Sequence, residues 1–189
     1  MSGVLTIQIL INGITIADSL KLYSIQTHSN ASGIAQAQIT FVLDVASGSS
    51  AIPSEADAWI FGDQLDIRAG YDSRDETIFK GILESKTFIS ESAEGSRLEI
   101  FCQDNNYEPI ANNKTFEFKF GENVFSSRLT LENEGGFTGV VSTQGNSIFV
   151  PGMEVNLQNF GKDYDGERTI STVNHHINSG DWLSEIDLS

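Results

Sequence analysis

The chain has 189 residues, 39% of them hydrophobic, and a formal net charge of −15 from 11 Lys and Arg against 26 Asp and Glu. Nucleic-acid backbones and anionic membranes are gripped through clustered Lys and Arg, so that balance argues against both as partners. The length allows one ordinary domain or two small β domains, and no apolar run is long enough for a membrane-spanning helix.

The start, Met1-Ser2-Gly3-Val4-Leu5, lacks the basic and apolar regions of a signal peptide, and Cys102 is the only cysteine. Both features fit cytoplasmic assembly in a reducing compartment with no intrachain disulfide. From Val4 to Ile11 the residues alternate as a strand. Asn12-Gly13 reads as a hairpin turn into Ile14-Thr15-Ile16. Leu22–Gln26 and Ala37–Leu43 read as further strands, and Ser47–Pro53 as a loop. Trp59–Tyr71 is expected as a strand, Asp72–Asp75 as a turn, and Thr77–Ser90 as a long strand that turns at Glu94-Gly95-Ser96 into Arg97–Cys102. Breakers at Asp104–Pro109 and Asn112-Asn113 suggest a boundary. Phe116, Phe118 and Phe120 then alternate on a strand before Gly121-Glu122-Asn123, and a second breaker stands at Glu134-Gly135-Gly136. Helical periodicity is missing throughout. The chain reads as all-β, two tandem small barrels with little helix: 1–106, a short connecting segment 107–136, and 137–189, with strands within 115–132 open to recruitment by the second unit.

One pattern occurs twice. Phe61-Gly62-Asp63-Gln64-Leu65, Phe79-Lys80-Gly81-Ile82 and Glu94-Gly95-Ser96 are echoed by Pro151-Gly152-Met153-Glu154-Val155, Tyr164-Asp165-Gly166-Glu167 and Ser179-Gly180-Asp181. Gly81 to Gly95 and Gly166 to Gly180 share one spacing. Gly62, Gly81, Gly95, Gly152, Gly166 and Gly180 are therefore expected as matching turn positions of two related units. Three such chains would present six similar units around an axis.

Residues with chemical potential do not form a constellation. Asp163-Tyr164-Asp165-Gly166 starts like a calcium loop, but the twelfth position is Asn174 rather than Glu. His175 and His176 are adjacent on a strand, so their rings face opposite sides and cannot share one metal ion. Cys102 stands in an alternating strand without a nucleophile signature, and no glycine-rich phosphate cradle is present. No cofactor, metal or catalytic residue is expected. Trp59 and Trp182 are stacking candidates for a carbohydrate- or peptide-binding module if exposed, and core aromatics if not. The loop Ser47–Ala58 would hold the active site if the chain were an enzyme.

The C-terminal residues carry a resemblance. Gly139-Val140-Val141, Val150-Pro151-Gly152-Met153-Glu154-Val155, Tyr164-Asp165-Gly166, Ile170–Ile177 and Gly180-Asp181-Trp182 resemble the closing segment of the VgrG (Rhs element Vgr) hub module, with His176 or His175 at the family's histidine. Val4–Asp104 is similar to the opening barrel of that module, as in phage late-control D and baseplate hub proteins. The resemblance implies a structural, non-enzymatic hub of a type VI secretion or phage-tail-like contractile apparatus, delivered or secreted with it. Its implied partners are two further copies in a homotrimer, a hexameric tail-tube protein, a spike or OB-fold segment or separate spike protein, and baseplate proteins. It implies neither nucleic-acid binding nor membrane insertion. Part of the acidic charge is expected to line the central channel. This chain departs from the family in a shorter stretch at about Tyr107–Gly136, without helical subdomains, and in stopping at Asp187-Leu188-Ser189 before the OB-fold and β-helical spike.

Overall fold

Period-two alternation becomes strands in the computed structural model, which describes residues 3–16, 20–43, 52–91, 95–104, 106–108, 115–133, 135–178 and 180–189. In chain order these are β1 (Leu5–Ile11), β2 (Ile14–Thr15), β3 (Lys21–Asn30), β4 (Ala35–Leu43), the single-turn helix α1 (Ser54–Asp57), β5 (Gln64–Tyr71), β6 (Glu76–Glu91) and β7 (Gly95–Asp104). They continue as β8 (Phe116–Lys119), β9 (Val124–Leu131), β10 (Phe137–Gln144), β11 (Glu154–Gln158), β12 (Gly166–Asn178) and β13 (Asp181–Leu188). The fold is all-β. The expected Glu94 turn residue, most of the Ser47–Pro53 loop and most of the boundary around Asn112-Asn113 lie outside the described residues.

The turns form where their residues demand them. Asn12 and Gly13 have φ of 50° and 80°, the left-handed pair of a tight hairpin, and Asp72 and Ser73 repeat that geometry at 56° and 62°. The expected strand at Trp59–Tyr71 starts only at Gln64. Before it, the Asp63 carboxylate accepts from the Ile60 N–H at 2.9 Å and from the Asn12 amide at 2.8 Å, which locks the chain into a turn.

One hydrogen-bonded path runs β2-β1-β5-β6-β7-β4-β3-β12-β13-β10-β9, with β11 on β12 and β8 parallel to β11. Within it a motif occurs twice. The order β5-β6-β7-β4-β3 is matched by β11-β12-β13-β10-β9, and in both the chain makes one hairpin, then a lone strand, then a long hairpin. The correspondence extends to single hydrogen bonds. Asn30 N–H donates to Ile34 O and Gly33 N–H to Asn30 O, as Glu132 N–H does to Gly136 O and Gly135 N–H to Glu132 O. Gly62 N–H donates to Leu83 O at 2.9 Å, as Gly152 N–H does to Ile170 O at 2.7 Å. Bulges recur too: Tyr23 and Phe125 are the extra residues of the first hairpins, and Glu84 and Ser171 those of the second.

The glycine spacing pointed to this repeat by a partly wrong route. Gly62 and Gly152 are equivalent turn residues, with φ of 92° and 85°, and Gly180 turns β12 into β13 at φ 104°. Gly95 is the first residue of β7 and Gly166 the first of β12. Gly81 is no turn. It lies inside β6, where a Cβ would come within 2.5 Å of the Phe79 ring and 2.9 Å of the Gln103 carbonyl, so close packing explains it. The ladder makes Gly81 equivalent to Arg168, because Gln64 opposite Ile82 corresponds to Glu154 opposite Thr169.

Each unit encloses its own core. Ile9, Ile25, Ile39, Phe41, Leu65, Ile67, Phe79, Leu83, Leu98 and Ile100 belong to the first; Phe118, Val141, Phe149, Met153, Val155, Leu157, Ile170 and Ile186 form most of the second. They are joined through β3 on β12, from Ser24 opposite Asn178 to Asn30 opposite Thr172. Ile177 and Trp182 reach across into the first core, where Trp182 stacks on Tyr71 with centroids 5.7 Å apart. Gly145 makes room for that ring. Its N–H donates to Trp182 O at 2.8 Å, and a Cβ there would fall 2.0 Å from Trp182 Cγ. Gly145→Ala is therefore expected to lower stability by about 3 kcal/mol in urea unfolding, at the upper end of overpacking costs; an unchanged midpoint would show the ring to be free to move.

Candidate functional site

The residues with chemical potential are spent on structure. Cys102 is fully buried in β7, and burial, with a smaller contribution from the Glu84 carboxylate, pushes its thiol up to about 12, far from a reactive thiolate. His175 points inward and His176 outward, as strand alternation requires. The His175 Nδ1 lies 2.8 Å from Ser184 Oγ and accepts the Trp182 indole N–H at 3.3 Å. Burial, and secondarily the charge of His176, lowers its pKa to about 3, which keeps the ring neutral. No group of three or more His, Cys, Asp or Glu side chains among the described residues could hold a metal ion.

Trp59 and Trp182 are 7% and 4% exposed, so neither offers a ring to a sugar or peptide. Trp59 packs on Phe41, and its carbonyl accepts from Lys86 Nζ at 2.7 Å. Asp163 and Asp165 belong to the turn before β12, where Asp165 accepts the Phe160 N–H at 2.8 Å. A depression of about 470 Å³ beside β5 and β6 holds Asp66, Arg68, Lys80 and Asp104. There Asp66 is already engaged by Arg68 at 2.8 Å and by the Thr77 hydroxyl at 3.0 Å. The active-site loop of an enzyme reading, Ser47–Ala58, lies outside the described residues up to position 51.

What the surface does offer is open sheet edge. β9 pairs only with β10, and the half of β6 from Ser85 to Glu91 pairs only with β7, among the described residues. Both bear apolar side chains in solvent: Phe88 is 42% exposed, Leu131 41% and Phe125 65%. Unpaired edges of this kind recruit further strands. The sequence left strands within 115–132 open to recruitment by the second unit, and β9 does pair with β10, but its mostly exposed side chains gave no sign of its free outer edge. The recurrent turn glycines Gly33 and Gly135, each donating to the residue three positions before it, were the available signal.

No helix among the described residues is long and apolar enough to cross a membrane. The sequence model of the family described as "Alg8 N-terminal domain" matches residues 1–120, a description that states no activity or partner. No curated protein matches the chain. Among solved structures, it is similar to a tail protein from Neisseria meningitidis MC58 (TM-score 0.66, 7% identity, covering 97% of this chain and 96% of that one). An E. coli component of the type VI secretion system, described as structurally similar to the T4 bacteriophage tail proteins gp27 and gp5, matches with TM-score 0.65 and 9% identity over 96% of this chain and 76% of that one. The 43 kDa tail protein of prophage MuSo2 from Shewanella oneidensis matches with TM-score 0.66 and 9% identity over 98% of each. At these identities the shared property is the fold.

Proposed function

The chain belongs to the family of the Alg8 N-terminal domain, and from its doubled architecture and tail-protein fold we propose that it is a structural hub of a phage-tail-like or type VI secretion apparatus. The observation that carries this reading is the internal repeat, β5-β6-β7-β4-β3 matched by β11-β12-β13-β10-β9. One chain thereby presents two similar docking units, so three chains present six. A trimer of this kind meets a hexameric tube protein on one face and a three-fold spike on the other, without needing two kinds of subunit. VgrG-type hubs, with an OB-fold segment or a separate spike protein beyond the barrels, are the form of this arrangement that the sequence resembles. Baseplate proteins would surround it, and acidic side chains would face its channel. The likeness to structural tail proteins supports reading it as a non-enzymatic part.

The test is position. Labelling the chain in purified intact apparatus and imaging by electron microscopy should place the label at the spike end of the tube, on the axis. A label along the outer sheath, or absent from the particle, would refute the hub.

A further inference from the structure

The junction between the two units inside the chain has a defined register. β3 lies on the edge of β12 that faces away from β13, in antiparallel register with His175 opposite Thr27 and Asn174 opposite His28. Through the repeat, β9 is the equivalent of β3 and β6 the equivalent of β12. Thr27 opposite Ala37 corresponds to Leu129 opposite Gly139, and Leu83 opposite Cys102 to Ile170 opposite Leu188, which fixes the correspondence residue by residue. The two members not used inside the chain are the outer edge of β9 and the Ser85–Glu91 edge of β6, and both are open among the described residues.

We infer that β9 of one copy adds to the free edge of β6 in a second copy of this chain, antiparallel, with Leu129 opposite Phe88, Thr130 opposite Thr87 and Ser126 opposite Glu91. Burial supports the register. His175 and Thr27, which face each other at the internal junction, are 4% and 6% exposed. Their counterparts are Phe88, 42% exposed, and Leu129, half-buried against the second core. An apolar pair therefore waits where the internal junction has a buried one, and cross-strand pairs are the unit of sheet stabilisation. Leu131 falls opposite Lys86, extending the covered face. On the other face Arg128 becomes the diagonal neighbour of Glu91, a favourable contact in a chain with few cations. Thr87 and Thr130, both exposed, occupy the places of Asn174 and His28, whose side chains meet at 2.8 Å.

This pairing deepens the hub reading by naming the contact between copies, though the repeat alone carries it. The test is oxidative cross-linking of the concentrated full chain carrying Thr87→Cys and Thr130→Cys. These positions sit on one face at the spacing a disulfide needs, while buried Cys102 does not compete. Intermolecular linking is expected to exceed that of Thr87→Cys with Leu131→Cys by about tenfold, since a one-residue slip moves the side chain to the opposite face. In-register links closing a covalent three-copy species support both pairing and hub. In-register links in rings of another size support the pairing and overturn the hub. A three-copy assembly without these links keeps the hub and overturns the pairing, as does preferential linking of the slipped pair. A chain that stays monomeric and unlinked at high concentration overturns the pairing as well.

Discussion

Trp182→Ala is expected to destabilise the fold by about 3–5 kcal/mol, the range for deleting a large buried aromatic. The ring contributes to the first core although it belongs to β13 of the second unit, and it stacks on Tyr71 of β5. Its removal would leave a cavity between the units and take away the indole N–H that His175 accepts. Because β3 and β12 pair beside it, the two units should unfold together in the native chain. In the variant, equilibrium unfolding followed by tryptophan fluorescence at Trp59 and by hydrogen exchange in β10 should show a lower midpoint. Loss of coincidence between the two probes would mean that this ring is what couples the units. A shift below 1 kcal/mol would show the junction to be held by backbone pairing alone.

Acid sensitivity centred on His175 is the second large effect. The folded chain keeps this imidazole neutral down to about pH 3 by burying it, whereas in the unfolded chain it titrates near 6.5. The unfolded state therefore binds the proton first, and stability falls as the pH drops from about 6.5 towards 3, flattening below the folded value. By pH 5 the loss from this one group is about 2 kcal/mol, at about 1.36 kcal/mol per pH unit. His175→Gln, which can still accept the indole N–H, should lower the baseline stability and remove that slope between pH 7 and 5, above the range where most carboxylates titrate. Equal slopes in both proteins would place the acid response elsewhere.

Much of the fold is legible in the residues themselves. Alternation located β1, β4, β6, β7 and β10, and Asn12-Gly13 marked its hairpin, because in each case one face is buried or the turn has a single favoured chemistry. The same logic put the His175 and His176 rings on opposite faces, and the structure shows His175 to be the inner one. Where it stopped, the cause was tertiary. β5 begins five residues later than Trp59 because Asp63 ties Ile60 and Asn12 into a turn, a contact with a residue remote in sequence. The equal glycine spacing could not reveal that Gly81 yields to the Gln103 backbone while Gly166 opens a strand. The true repeat is written in the ladder and its bulges. β9 was hardest to read, since most of its side chains are exposed in the single chain.

The central claim is that one repeated unit, used twice per chain, builds a ring of six. Electron cryomicroscopy of the assembled chain tests it most directly. The expected reconstruction has three-fold symmetry with six similar units, adjacent copies joined by β9 on β6 and burying more than about 1,000 Å² per neighbouring pair. A two-fold dimer, or single copies within the intact particle, would contradict it.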